Sequence, residues 1–483
     1  MAGRDTLPLK GVCTVTRALR VAIVGAGPAG IYAADLLTKA ERDFSLSIDL
    51  FERLPVPFGL VRYGVAPDHP RIKGIQNALI KVLDRGDVRL LGNVDFGTDI
   101  TLEDLRAHYD AVIFSTGSFE DAALDIPGID LPRSYGAADF VNWYDAHPDV
   151  PQEWPLDQES VAVLGNGNVA LDVARVLAKQ ADDMLSTEIP EHVHRGLRDS
   201  RVTDVHVFGR RGPAQAKFTP LELRELGHVK DVDILVYPED YEFDEASMAQ
   251  IHSNNQTKQV TKTLTDFTLR EETGAPRRLH LHFLHAPVEV LGDEETGVTG
   301  LRTERQQLDG NGGVSGTGTF HDWEVGAVYR AVGYFGSPLR DLPFDARRGV
   351  ITNVEGRVHA GSSQETAAQA PVVPGVFATG WIKRGPVGLI GHTKGDALET
   401  ITHLIEDHCA GVLPEPERPD EDAILDLLEA RGVDYADWDG FHRLEAAEKA
   451  LGEPQGRERV KIPTRAGMLE HSRSTGARTV QTV

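Results

Sequence analysis

Three glycines, Gly25, Gly27 and Gly30, stand within VAIVGAGPAGIYAADLL at residues 21–37, directly after a run of four apolar residues. Such a run predicts a strand covered on both faces, followed here by a glycine turn and a helix. Each glycine has a steric task. Gly25 permits the tight turn, Gly27 lets a pyrophosphate approach the backbone, and Gly30, beside Ala29, lets the helix lie close to the strand. The free N–H groups at the helix start suit phosphate oxygens. A second strand, SIDLF at 47–51, is followed at once by Glu52, whose carboxylate can accept hydrogen bonds from ribose hydroxyls. Together these residues predict a dinucleotide site.

The pattern recurs. VAVLGNGNVALDVARVL at residues 161–177 superposes on the first stretch with glycines at Gly165 and Gly167, and Ala170 replaces the third. Alanine is tolerated there, so two dinucleotides held side by side are expected. The ribose-facing residues differ. After the strand VHVFG at 205–209 come Arg210 and Arg211, whose guanidinium groups suit a 2′-phosphate, so the second ligand is expected to be NADP rather than NAD. Beyond them GPAQAKFTPLELREL at 212–226 begins as a loop and becomes a helix near Thr219. It places Glu222 and Glu225 one turn apart on one face, by default a solvated face.

The elements that must position these residues fit a chain of 483 residues with two or three domains and 41% hydrophobic content. A formal net charge of −24 argues against nucleic-acid binding and against adhesion to anionic membranes. Cys13 and Cys409 are far apart in sequence and lack metal-ligand spacing, so no structural zinc, protein-bound iron–sulfur cluster or redox dithiol is expected, and no metal site is assigned. No secretory signal or membrane span is read, and a cytoplasmic location is expected.

Residues 53–75, rich in Pro and Gly, read as a long functional loop, in which Arg62, His69, Arg71 and Lys73 concentrate positive charge. A lone histidine such as His69 is by default an ordinary loop residue. DAVIFSTG at 110–117 reads as a buried strand closing the first sheet unit, and residues 119–157 as the crossing into a second domain. Residues 232–328 read as short strands and turns completing the second sheet. A further strand ends in Ala378, Thr379 and Gly380, where Trp381 stands in place of the acidic residue common in flavoproteins. A helix starting near 388–391 would place its N-terminus where it could stabilise a reduced flavin. The segment after Gly411 reads as a peripheral elaboration.

LFERLPVPFGLVRYGVAPDHPRIK, VLGNGNVALDVARVL, FGRRGPAQAKFTPLELREL and GWIKRGPVGLIG together resemble the adrenodoxin-reductase-like ferredoxin–NADP reductases, including the actinobacterial ones, over most of the chain. The resemblance implies an α/β fold of two Rossmann-like three-layer domains: a discontinuous FAD-binding domain at 1–118 and 346–483, with an NADP-binding domain inserted at 119–345. It implies FAD contacts from Glu52, Leu60, Val94, Trp381, Gly388, Leu389 and Ile390 beside the turn of Gly25, Gly27, Ala29 and Gly30. NADP contacts would come from Asn166, Gly167, Asn168, Val169, Arg210, Arg211, Glu222 and Gly388. His69 and Glu225 would be the active-site pair. Where members of this family often carry an arginine after the strand near Gly117, this chain has Ala122.

The implied reaction is hydride transfer from NADPH to FAD, then single electrons to a ferredoxin that brings its own cluster and could feed a downstream oxygenase. Because such ferredoxins are usually acidic, a basic groove drawn from Arg62, Arg71, Lys73 and Arg210 is expected. Two alternatives are a flavin module like that of glutamate synthase and a non-catalytic NADP-responsive flavoprotein.

Overall fold

A computed structural model describes residues 17–388 and 390–473, without the side chain of Ile390. Cys13 and Leu389 lie outside the described residues. The chain divides into two compact units, one made of residues 1–65, 69–120 and 335–483, the other of residues 66–68 and 121–334.

The first unit is built on a seven-stranded sheet. Its parallel part runs Arg89–Gly92, Leu46–Glu52, Leu19–Val24, Ala111–Phe114 and Val372–Ala378 in spatial order, and the short antiparallel strands Arg357–His359 and Asn353–Val354 extend it. Strand Leu19–Val24 is buried along its whole length. Val21 and Ile23 face a core shared with helices Pro28–Lys39 and Ile390–Cys409, whereas Ala22 and Val24 face a second core with Leu105, Ile382 and Leu428. Alternate residues of one apolar strand thus feed two layers, as the strand pleat requires.

The second unit repeats this plan with a six-stranded sheet, all parallel, in the order Ser134–Gly136, Ala327–Arg330, Ser160–Leu164, Asp204–Gly209, Arg277–Phe283 and Val232–Val236. Val161 and Val163 pack under the helices, while Ala162 and Leu164 pack against Val298 and Leu301. Those two belong to a separate antiparallel sheet of His285–Asp293, Gly297–Leu308 and Val314–Trp323. The α/β class with two Rossmann-like three-layer halves is therefore the one expected.

Three local expectations need correction. Residues 232–328 do not simply complete the sheet: they contain helices Glu245–Ser253 and Asn255–Thr268 as well as the antiparallel sheet. The longer helix buries Val260, Leu264 and Phe267 at three- and four-residue spacing behind an Asn254 cap, a helical signature hidden among its threonines and polar residues. The stretch 119–157 is not mere linker, since helix Ala137–Tyr144 puts Phe140, Trp143 and Tyr144 into the second unit's core. The C-terminal segment is not peripheral either. Its helices Trp438–Gly452 and Arg465–Ser472 bury Phe441, Leu444 and Met468 in the first unit's core, and Phe441 meets Phe58 edge-on at 5.3 Å.

Candidate functional site

In the first unit the glycine turn is tight where it must be and open where a ligand would lie. A Cβ on Gly25, whose φ is +108°, would sit 2.6 Å from the Ser115 carbonyl oxygen, and one on Gly30 would sit 2.1 Å from the Gly25 carbonyl. A Cβ on Gly27 would meet nothing within 4 Å, so the backbone there lies open to a pyrophosphate. Ser115 Oγ holds the turn by donating to the Gly25 carbonyl at 2.8 Å. Helix Pro28–Lys39 starts from Gly27 with proline in its first turn, a position that needs no N–H donor.

Glu52 closes this cradle. It ends strand Leu46–Glu52, is buried, and accepts from the Ala26 N–H at 2.9 Å and the Leu54 N–H at 3.2 Å. Burial pushes its carboxyl up, and the two backbone donors oppose that shift only in part. The carboxylate therefore fixes the turn and still carries lone pairs for ribose hydroxyls. Val94 is buried and its N–H reaches the Glu52 carbonyl at 2.9 Å, while Leu60 opens the short helix Leu60–Tyr63. Ala29 is hemmed in by the Gly380 turn: a Cβ on Gly380 would lie 2.6 Å from that of Ala29.

Trp381 begins helix Trp381–Arg384, and Gly388, at φ +89°, precedes helix Ile390–Cys409. The acid looked for after Gly380 arrives instead from that helix. Asp396 accepts from the Gly380 N–H at 2.5 Å and from Thr379 Oγ1 at 3.1 Å, and Lys383 pairs with it at 3.2 Å. Sequence reading missed Asp396 because it lies sixteen residues beyond the turn it caps.

The second cradle has the same logic. A Cβ on Gly165, at φ +143°, would sit 2.2 Å from the Ala331 carbonyl, whereas one on Gly167 would meet nothing within 4 Å. Helix Asn168–Ala178 starts from Gly167 and packs Val169 at the edge of the core. Asn166 borders Gly209: a Cβ on that glycine would lie 3.1 Å from Asn166 Nδ2. The Asn166 carbonyl accepts from the Lys217 N–H at 2.9 Å, and Asn168 Oδ1 accepts from the Thr219 N–H at 2.8 Å. These bonds bring together the glycine turn, the end of strand Asp204–Gly209 and the start of helix Pro220–Leu226. Arg210 and Arg211 are exposed, and among the described residues neither guanidinium has an ion-pair partner. Ala122 donates its backbone N–H to the Gly333 carbonyl at 2.8 Å.

Glu222 and Glu225 share their helix but not their surroundings. The expected solvated face fails for Glu222, which is buried 3.9 Å from the Arg175 guanidinium. Arg175, itself buried, forks onto Asp68 with two bonds of 2.9 Å and pairs with Asp172 at 2.8 Å, and Lys179 reaches Asp68 at 3.0 Å. Burial alone would raise the Asp68 carboxyl, but Arg175 and Lys179 hold it well below the usual range. Asp68 is thereby fastened to the second unit immediately before His69, which is buried. Glu225 is half-exposed and lines a cavity of about 510 Å³ with Asp68, Arg175, Lys179 and His228.

The expected basic groove loses a member. Arg62 is fully buried, 2.5 Å from Glu448 of the C-terminal segment, and its carbonyl accepts from Lys461 Nζ at 2.7 Å. An arginine with those partners holds the fold together and has no face to offer a partner protein. Arg71 is exposed, while Lys73 is half-buried and donates to the Arg62 carbonyl at 3.1 Å.

Two parallel-sheet units, each with an open second glycine at a helix start, define an α/β protein with two dinucleotide-type cradles. Residues 19–210 match the pyridine nucleotide-disulphide oxidoreductase family. The chain is 40% identical over 461 residues to NADPH-ferredoxin reductase FprA of Mycobacterium leprae, covering 93% of this chain and 97% of that one. It is 36% identical over 471 residues to human mitochondrial NADPH:adrenodoxin oxidoreductase, with 93% and 91% covered. The structure of Mycobacterium tuberculosis FprA in complex with NADPH superposes with a TM-score of 0.86 at 38% identity, covering 94% of this chain and 100% of that one. The chain belongs to the family of NADPH-dependent ferredoxin and adrenodoxin reductases. Among the described residues no helix is long and apolar enough to cross a membrane.

Proposed function

We propose that this chain is a ferredoxin–NADP reductase that binds FAD in the first unit and NADPH in the second. The observation that carries the reading is the contrast between two otherwise matching cradles, one backed by the buried Glu52 carboxylate and the other by the exposed Arg210 and Arg211. A carboxylate accepts from free ribose hydroxyls and repels a phosphate, while a guanidinium pair does the reverse.

The chemistry, supplied by bound FAD, is acceptance of a hydride from NADPH and release of its two electrons one at a time to a ferredoxin-type acceptor. The protein's part is positioning and charge. Gly27 and Gly167 leave space for pyrophosphates against the helix starts at Pro28 and Asn168. Leu60, Val94 and Trp381 are proposed to contact the flavin with Gly388, Leu389 and Ile390, and Asn166, Asn168, Val169 and Glu222 to contact NADP. His69 and Glu225 are proposed to orient water and the nicotinamide. Changing His69 is expected to slow turnover without releasing the flavin.

The partner we propose is an acidic ferredoxin that supplies a downstream oxygenase, with the reaction in the cytoplasm. Arg71 and Arg210 are the exposed members of that basic set, so turnover with ferredoxin is expected to fall as salt rises. The deciding experiment is a spectrum. Purified protein should be yellow, bleach anaerobically with NADPH and much more slowly with NADH, and reduce cytochrome c only when ferredoxin is added. A colourless protein that stays so when FAD is supplied overturns the proposal.

A further inference from the structure

The second unit holds a stack of imidazoles that nucleotide binding does not use. His206 lies on strand Asp204–Gly209, and His280 and His282 lie on its neighbour Arg277–Phe283, where the two-residue spacing puts both side chains on one face. In the parallel register His206 stands opposite His280. The rings of His206 and His280 stack at 4.2 Å, and His206 Nδ1 lies 3.1 Å from His282 Nε2. One ligand nitrogen from each of the three lies within 4.8 Å of the others.

We propose that His206, His280 and His282 form a binding site for a late first-row divalent cation of the zinc or copper(II) kind. Two imidazole nitrogens on a tetrahedral zinc stand about 3.3 Å apart, close to the 3.1 Å of the His206–His282 hydrogen bond that the ion would replace, and the third nitrogen closes from within 4.8 Å as the near-parallel rings turn to aim their lone pairs at one point. Three neutral imidazoles suit zinc, copper(II) and nickel better than magnesium or calcium.

The surroundings are those of oriented ligands. Asp240 Oδ2 lies 3.6 Å from His282 Nδ1, which favours the proton on that nitrogen and turns the Nε2 lone pair toward His206. The Tyr237 hydroxyl meets His280 Nδ1 at 2.6 Å, and Asp204 meets its Nε2 at 3.0 Å. Because a hydroxyl can donate or accept, His280 can keep its proton toward Tyr237 and free Nε2 beside a carboxylate able to serve as a fourth ligand. His280 and His282 are buried and His206 is partly exposed, so one edge of the set is open to an entering ion.

The test is a calorimetric titration of the flavin-loaded protein, freed of metal by chelator and dialysis, with zinc chloride alone. One equivalent should bind per chain, and His206→Asn and His280→Gln should each weaken it by at least about tenfold. His252→Gln, on the exposed helix Glu245–Ser253, should leave it unchanged. With one equivalent of copper(II), the resonance spectrum of the unmodified protein should show coupling to three nitrogens. Tryptophan emission should also drop, since the Trp323 ring lies 4.5 Å from that of His282. Absence of saturable one-to-one zinc binding, or binding unchanged in both variants, overturns the proposal. Should those variants fail to fold, copper coupling to fewer than three nitrogens overturns it.

Discussion

Alanine at Gly167 separates nucleotide binding from folding. The residue caps helix Asn168–Ala178 with φ −107° and ψ 179°, which any residue adopts, and a Cβ there would meet no atom within 4 Å. The folding cost is therefore only that of alanine in place of glycine at a helix cap, about 0.5–1 kcal/mol. Binding is another matter, because the new methyl group would occupy the approach of the pyrophosphate. Loss of one charge-assisted backbone contact costs about 1.5–3 kcal/mol, and at about 1.4 kcal/mol per tenfold that weakens NADP roughly 10- to 150-fold. The assay is calorimetric titration of the flavin-loaded variant with NADP+, alongside its melting temperature and flavin content. Gly165→Ala serves as the contrast. Its Cβ would lie 2.2 Å from the Ala331 carbonyl at φ +143°, so folding itself should suffer. If Gly167→Ala melts normally, keeps its flavin and binds NADP+ with unchanged affinity, the second cradle is not where the coenzyme sits.

Replacing Arg210 and Arg211 together by alanine should cost about 1.5–3 kcal/mol for each lost contact with a 2′-phosphate. Steady-state kinetics should show the loss with NADPH and little change with NADH, and equal losses would refute the assignment. Glu52→Gln keeps one acceptor for the two N–H groups of Ala26 and Leu54 and loses the charge. Flavin retention on desalting should fall, and undiminished retention would remove Glu52 from the flavin cradle. Arg175→Met leaves the Asp68 and Asp172 carboxylates without their shared guanidinium, and breaking such a buried pair costs about 3–5 kcal/mol. Lys179 remains to soften the loss, and denaturant titration measures it. Stability should also fall in acid. Burial would raise Asp204, yet the Arg278 guanidinium 2.7 Å away leads the contacts that hold it at about 2, and Asp68 and Asp240 are likewise lowered. Each stabilises the ionised form in the folded chain, so its contribution is complete above about pH 4 and is lost as pH falls toward 2. A melting temperature flat from pH 5 to pH 3 would contradict this.

How much of this was readable in advance depended on whether the information was local. The two glycine turns were legible because strand, turn and helix are consecutive, and both open second glycines stand where the spacing put them. Asp396 was not legible, because its partner is a backbone N–H sixteen residues away and helical spacing cannot show which turn a helix will cap. Arg62 was misread for the same reason. In sequence it belongs to a basic loop, and only the fold delivers Glu448 from 386 residues further on to neutralise it. The histidine stack lies between these cases. HLHFLH at 280–285 announces two imidazoles on one strand face, but the third ligand arrives from strand Asp204–Gly209 through the parallel pairing of His280 with His206, a neighbour that the local alternation does not name. Contacts between neighbours in sequence can thus be argued from residue type and period. Contacts made by a long crossover come only with the topology, and in this chain they decide which charges hold the fold together and which stay free to meet a ligand.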